Sequence, residues 1–261
     1  MKRTLIDRLP TEPPEDIRRL ILGGVLYDSS SSPEARVYFI DKGSGYYLKT
    51  APVGTLRNEA EMTTYFYKKG LAPEILTYIS GERDWLLSAR AQGEDCTSPI
   101  YTSDPKRLCD TTAQLLRALH ETDFEGCPVA DRMKSYFALA ESNYKSGSYD
   151  TSYFPDNFGY ATAEEAYLAL QSGKDALNGR VLLHGDYCLP NIMLDNWRLS
   201  GFIDLGGGGV GDRHIDIFWG VWSLGFNLGT DKYNERFKDA YGRDKINEEL
   251  LRTVAAAEVF G

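Results

Sequence analysis

Asp186 and Asn191 stand five residues apart in the run His184-Gly185-Asp186-Tyr187-Cys188-Leu189-Pro190-Asn191. Asp204 follows 13 residues after Asn191, in Gly201-Phe202-Ile203-Asp204-Leu205-Gly206. Two carboxylates and an amide in this order can carry phosphoryl transfer from a metal-bound nucleotide. One carboxylate orients an alcohol and accepts its proton. The amide oxygen and the second carboxylate are hard oxygen donors for Mg²⁺, which keeps its phosphate partners. Asp186 is therefore the expected base, and Asn191 and Asp204 are the expected metal ligands.

The protein-kinase pattern divides the work in the same way. It has H-R-D, an Asn five residues after that Asp, and then D-F-G. Here H-G-D, Asn191 and D-L-G stand in that order. Lys49 closes Gly45-Tyr46-Tyr47-Leu48-Lys49. A lysine at the end of an alternating strand can reach the α- and β-phosphates. Glu59, on the helix expected next, is its natural ion-pair partner. Glu61 sits about 200° further round that helix and is expected on the opposite face. Ser29, Ser30 and Ser31 occupy the place of a phosphate-covering loop, without the glycines of G-x-G-x-x-G. Either phosphate contacts or an ordinary hairpin turn fits them. Asp216 is expected to start a helix and to tie the catalytic loop to it. His120 and His214 have no metal-ligand partners at useful spacing and read as solvated or helix-terminal.

The elements that must position these residues follow from periodicity. Residues 20–27, 35–41 and 46–50 read as strands, separated by Asp28-Ser29-Ser30-Ser31-Ser32-Pro33 and Lys42-Gly43-Ser44-Gly45. Residues 55–69 read as a helix, with Leu56, Ala60, Thr63 and Tyr67 on one face and Gly70 placed to end it. Two further strands are expected at 74–79 and 85–88. After Gln92-Gly93-Glu94-Asp95 the pattern turns helical. Helices are expected at 104–121 with Asp104 as cap, at 131–144 and at 162–171. A compact β insert, 181–204, carries the motif. Helices at 215–224, 232–241 and 246–260 follow.

Composition narrows the class. The net charge of −9 repels nucleic acid on average and attracts a cationic substrate. No apolar run approaches the 18 residues of a spanning helix, so no membrane partner is expected. Residues 1–8 lack a long apolar region, which points to the cytoplasm. Cys96, Cys109, Cys127 and Cys188 are widely spaced, as free thiols in a reducing compartment are.

The chain resembles the aminoglycoside 3'-phosphotransferases, the kanamycin kinase family, over nearly its whole length. The resemblance is carried by Tyr47-Leu48-Lys49, Arg57-Asn58-Glu59-Ala60-Glu61-Met62, Asp84-Trp85-Leu86-Leu87 and Leu119-His120. It continues through His184-Gly185-Asp186, Leu189-Pro190-Asn191-Ile192-Met193, Ser200-Gly201-Phe202-Ile203-Asp204, Asp212-Arg213 and Asp216-Ile217. It implies an α+β, protein-kinase-like fold of two lobes. The smaller, β-rich nucleotide-binding lobe would span 1–92, and the helical catalytic and substrate-binding lobe 93–261. It implies ATP, or GTP, with Mg²⁺, and transfer to a sugar hydroxyl of a polycationic antibiotic by a monomer or weak dimer. It also implies adenine contacts to the backbone from Ser88 to Ala91, and acidic substrate contacts at Asp150, Asp156 and Glu258.

The departures from that family lie on the acceptor side. Gly207 and Trp222 stand where the family has Arg, and Phe226 stands near an acidic position. In Ala256-Ala257-Glu258-Val259-Phe260-Gly261 only Glu258 keeps a charge. The alternative acceptor is accordingly another small alcohol, such as a different antibiotic or a metabolite. A catalytically silent nucleotide-binding module conflicts with the intact Asp186, Asn191, Asp204 and Lys49. A protein-serine kinase conflicts with the missing Arg of H-R-D and the missing A-P-E segment.

Overall fold

The structure is a computed structural model and describes residues 3–30, 35–154 and 158–261. In chain order the first elements are β1 (Thr4–Ile6), α1 (Glu15–Ile21), β2 (Val25–Asp28), β3 (Arg36–Asp41), β4 (Tyr46–Ala51), α2 (Arg57–Lys68), β5 (Ile75–Ser80), β6 (Asp84–Ala89) and β7 (Glu94–Asp95). Then come α3 (Pro99–Thr102), α4 (Pro105–Glu121), α5 (Arg132–Ser146), α6 (Ala163–Gly173), β8 (Val181–Leu183), β9 (Ile192–Asp195) and β10 (Arg198–Phe202). β11 (Gly209–Gly211), α7 (His214–Leu228), α8 (Asn234–Tyr241) and α9 (Glu248–Glu258) complete the order. Two compact units result: Met1–Asp95 with Pro190–Gly206, and Cys96–Leu189 with Gly207–Gly261. A single division at residue 92 does not describe this, because residues 190–206 return to the first unit.

The first unit is built on an antiparallel sheet in the order β1-β2-β3-β4-β6-β5. Alternation along β4 decides where Lys49 goes. Leu48 packs with Tyr38, Ile40, Trp85 and Leu87 against Ile17 and Ile21 of α1. Ala51 lies in the other cluster, with Leu86 and with Leu56 and Ala60 at the start of α2. Lys49 shares that second face, paired across the ladder with Leu86. The expected strand 20–27 is corrected here: Leu20 and Ile21 finish α1, and the strand begins at Val25. Pro14 before Glu15 and Asp16 starts that helix, and Gly23 at φ +80° turns the chain out of it. Tyr67 is exposed, so the buried stripe of α2 is Glu59, Ala60, Met62, Thr63 and Phe66. Gly70 follows the helix at φ +72°, as expected.

The expected single β insert is also corrected. β8 pairs with β11 in the second unit, whereas β9 lies between β10 and β7 in the first. Asn196 and Trp197 make the β9–β10 turn, both at positive φ, the requirement of a two-residue primed hairpin turn.

In the second unit the caps come where the sequence puts them. Asp104, Asp131 and Thr162 accept from the backbone N–H groups of Arg107, Lys134 and Glu165. The core around Val181, Leu183 and Ile215 takes in Leu170 of α6, Val254 of α9 and the fully buried Phe260. Among the described residues no helix is long and apolar enough to cross a membrane. Among the described residues no disulfide links Cys96, Cys109, Cys127 or Cys188.

Candidate active site

Lys49 is the centre of the first unit's polar chemistry. Its Nζ donates to Glu59 Oε1 at 2.6 Å and to Asp204 Oδ1 at 3.0 Å. Glu61 faces away and pairs with Arg57 at 3.3 Å, so the helical-wheel choice of Glu59 holds. Burial alone would lower the Lys49 ammonium, but the charges of Glu59 and Asp204 outweigh it and hold its pKa above the ordinary value. Glu59 reaches the lysine because the start of α2 is fixed. Asp84, fully buried at the head of β6, accepts from Leu56 N–H at 2.9 Å and from Ser80 Oγ at 2.6 Å. Its carboxyl sits below its ordinary pKa; burial raises it, and these donors, Ser80 first, outweigh that.

The β9–β10 hairpin brings the two expected metal ligands to the same place. Ile203 N–H donates to Asn191 O at 3.0 Å, so the residue before Asp204 is tied to Asn191. Asp204 has φ +62°, a left-handed conformation that Asp tolerates better than most residues. A cavity of about 370 Å³ opens here, within the first unit. Its polar end holds Lys49, Glu59, Asn191 and Asp204, and its apolar walls include Val37, Ile75, Leu86, Met193 and Ile203. Ser88, Ala89 and Ala91 edge it, as does Ser29. Ser29 Oγ is buried with no hydrogen-bond partner among the described residues. Ser30 does not line the cavity. Its hydroxyl closes onto Val37, accepting from N–H at 2.9 Å and facing the carbonyl at 3.3 Å. Ser31 lies outside the described residues.

Asp186 belongs to the second unit, on a loop that Asp216 pins. Asp216 Oδ2 accepts from His184 N–H at 2.7 Å and Oδ1 from Gly185 N–H at 2.8 Å. His120 is buried, not solvated, and its Nε2 lies 3.1 Å from Asp216 Oδ2. Burial keeps His120 below its ordinary pKa and hence neutral. A neutral ring that donates to Asp216 from Nε2 must accept at Nδ1, and Tyr241 Oη stands there at 2.8 Å. Tyr241 Oη in turn accepts from Arg213 at 3.2 Å. Gly185 is obligatory on the same loop. It has φ +86°, and a Cβ would fall 1.9 Å from Gly207 O. Arg132 donates to that same carbonyl at 2.8 Å. Cys188 is no competing nucleophile, because burial, with Asp186 beside it, pushes its thiol far up.

The expected acidic contacts fare differently. Glu258 is partly buried near the end of α9 and accepts from Tyr136 Oη at 2.7 Å. Burial pushes its carboxyl up to about 7, against the hydrogen bonds from Tyr136 and Trp219. Asp150 is exposed and caps a turn, accepting from Ser152 N–H at 2.8 Å. Asp156 lies outside the described residues. Sequence reasoning missed Asp84, Arg132, Tyr136 and Tyr241, whose roles depend on partners 28 to 122 residues away. Only Asp84 left a signal, as part of the Asp-Trp-Leu-Leu run.

Residues 30–253 match the phosphotransferase enzyme family. The chain belongs to that family. A Lactococcus lactis protein named "Probable aminoglycoside 3'-phosphotransferase" is 51% identical over 249 residues, covering 95% of each chain. The aminoglycoside 3'-phosphotransferase of Niallia circulans is 33% identical over 215 residues, covering 81% of this chain and 82% of the relative. The kinship read from the motifs therefore holds. Among solved structures, an aminoglycoside 3'-phosphotransferase of type VIII superposes with a TM-score of 0.81 over 94% of this chain and 97% of its own, at 24% identity. The fold is accordingly the α+β, kinase-like fold of this phosphotransferase family.

Proposed function

We propose that the protein transfers the γ-phosphate of ATP to a hydroxyl group of an aminoglycoside; its relatives are named aminoglycoside 3'-phosphotransferases. The observation that carries this reading is Lys49, held between Glu59 and Asp204 in a cavity that also presents Asn191. The apolar walls suit a purine ring, and Ser88 to Ala91 edge the slot where backbone contacts to that ring would form. Lys49 would hold the α- and β-phosphates, with the unpartnered Ser29 hydroxyl as a further donor.

The donor set suits magnesium. One amide oxygen and one carboxylate at the polar end of the cavity match an ion that takes few protein oxygens and completes its shell with phosphates and water. Bound there by Asn191 and Asp204, the ion would neutralise charge on the bridging phosphate oxygens. Asp186 would accept a hydrogen bond from the acceptor hydroxyl and take its proton as the new O–P bond forms. Because the transition state is loose, aim matters more than basicity. The Asp216 clamp on His184 and Gly185 supplies that aim. Glu258 would bind an ammonium group of the acceptor. Action in the cytoplasm, where ATP is supplied, belongs to the same reading.

The test is release of ADP from MgATP, or of GDP from MgGTP, by the purified protein with kanamycin and chelator controls. Kanamycin-dependent release that chelator abolishes is expected, with one phosphate added to the antibiotic by mass. No aminoglycoside-dependent release, together with rapid turnover of a neutral alcohol, would replace this reading by the alternative acceptor class.

A further inference from the structure

β1 is an edge strand of the first unit's sheet, and one transverse row of residues runs from it to the cavity. Leu5 pairs with Tyr27, Tyr27 with Phe39, Phe39 with Tyr47, and Tyr47 with Ser88. Residues paired across a ladder point to the same face. The rings of the row therefore lie side by side, with centroids 6.0 Å apart for Tyr27 and Phe39 and 5.3 Å apart for Phe39 and Tyr47. Arg3, two residues before Leu5, reaches the same face. Its guanidinium stacks on Phe39, with Cζ 3.6 Å from the ring centroid, and its Nη2 donates to Tyr47 Oη at 2.8 Å. Gly45, at φ +93°, leaves Phe39 the space it fills: a Cβ there would fall 2.9 Å from Phe39 Cε2. Packed in this way, Phe39 is only 3% exposed although it lies under the exposed Arg3.

Tyr47 carries this row into the cavity. It is the one aromatic side chain among the described residues that line it. Tyr47 and Lys49 are two residues apart on β4, so they share a face at a spacing of about 7 Å along the strand. A nucleotide whose phosphates meet Lys49 then sets its base near Tyr47, with the ribose between them. A loose tyrosine would have to be ordered as the base arrives, at a cost in affinity. Arg3 orders it beforehand, through a charge-assisted hydrogen bond. The flat fork of an arginine can stack on one ring while donating to the next, which an ammonium cannot do.

We propose that Arg3 is a positioning residue for the nucleotide base. Stacked over Phe39 and bonded to Tyr47 Oη, it holds the Tyr47 ring as a fixed wall for the purine. Arg3 touches neither the phosphates nor the acceptor, so it acts on nucleotide affinity and not on the transfer step. The assignment rests on the proposed function for the nucleotide in this cavity, and adds the residue that prepares the cavity for its base.

Calorimetric titration of the full chain with MgATP, and with magnesium tripolyphosphate as a probe that lacks the base, tests it beside steady-state kinetics. Arg3→Met keeps a cover on Phe39 and deletes the charged donor; Tyr47→Phe keeps the ring and deletes the acceptor. Each should raise Kd and KM for MgATP about three- to tenfold, with kcat and the kanamycin KM within about twofold. Tripolyphosphate affinity should not change. In the Tyr47→Phe background, Arg3→Met should add less than about twofold, because both changes remove one interaction. Arg3→Lys should recover only part of the affinity. An Arg3→Met variant that loses tripolyphosphate and MgATP affinity equally overturns the proposal, since Arg3 would then only support the fold. A wild type that phosphorylates kanamycin, with variants that bind MgATP equally well, overturns it and leaves the function standing. A wild type that binds MgATP through Arg3 and Tyr47 but does not phosphorylate kanamycin supports it and overturns the function. No binding of MgATP by the wild type overturns both.

Discussion

Around Lys49, two carboxylates lie within 3.0 Å of one amine, and the backbone that carries them is tied by Asp84 and by the Ile203–Asn191 bond. Around Glu258 the neighbours are aromatic: Tyr136 and Trp219 hydrogen-bond to it, and the row continues through Trp222 to Phe226. The first region pairs fixed charges for a reactant that never changes. The second sets one titratable acid among rings, which suits a reactant that differs from one family member to the next. Under the proposed function, the contrast assigns rate to charge geometry, and choice of acceptor to shape and proton occupancy.

The harshest way to break that contrast is to remove the proposed base. Asp186→Asn should cut kcat at least about 100-fold while nucleotide affinity stays near the wild-type value, as rapid-quench kinetics and nucleotide titration would report. Wild-type turnover would take Asp186 out of the chemistry. Next comes the lysine. Lys49→Ala should lower kcat/KM for ATP by about 10- to 100-fold with the acceptor KM little changed, because a charge-assisted contact to phosphate is lost. Glu59→Ala should follow it, and an equal defect in acceptor KM would erase the division between the regions.

Glu258→Gln should act on the acceptor alone, raising its KM about three- to tenfold at pH 8 with kcat nearly constant. Its pH dependence has a definite sign. The folded carboxyl titrates near 7 against an ordinary 4.5. Its neutral form therefore favours folding fully below the ordinary value, and that contribution is lost as pH rises through about 7. The Gln variant should be relatively more stable above pH 7 and lose that advantage toward pH 4.5. Binding of an ammonium runs the other way. Relative to the variant, wild-type acceptor KM should fall as pH rises through 7, and a flat ratio would remove Glu258 from the acceptor site. The smallest effect belongs to Glu61→Ala. It breaks only an exposed pair with Arg57 and should leave all steady-state constants within about twofold.

The sequence made the Lys49 region legible because its logic is local. Strand alternation aimed Lys49, helical periodicity chose Glu59 over Glu61, and fixed spacing named Asn191 and Asp204. Legibility failed where a short element or a distant partner decided the outcome. Helix α1 is seven residues long, and its Leu20 and Ile21 looked like the start of a strand. His120 and Asp216 are 96 residues apart, so nothing nearby in the chain shows that the histidine is buried and neutral. On the acceptor side, Phe226 registered only as a lost acidic position, although its stacking on Trp222 follows from helical spacing.

Lys49 also has a thermodynamic consequence through its second partner. Glu59 and Asp204 take two of the ammonium's three N–H donors, at 2.6 and 3.0 Å, so an arriving phosphate shares the amine with a carboxylate that faces it. The phosphate and Asp204 repel each other unless a second cation lies between them. Under the proposed function, metal and nucleotide should then bind with positive coupling, and any such coupling is reciprocal. Free ATP should bind weakly to this protein, free Mg²⁺ more weakly still, and each should raise the affinity of the other by the same factor.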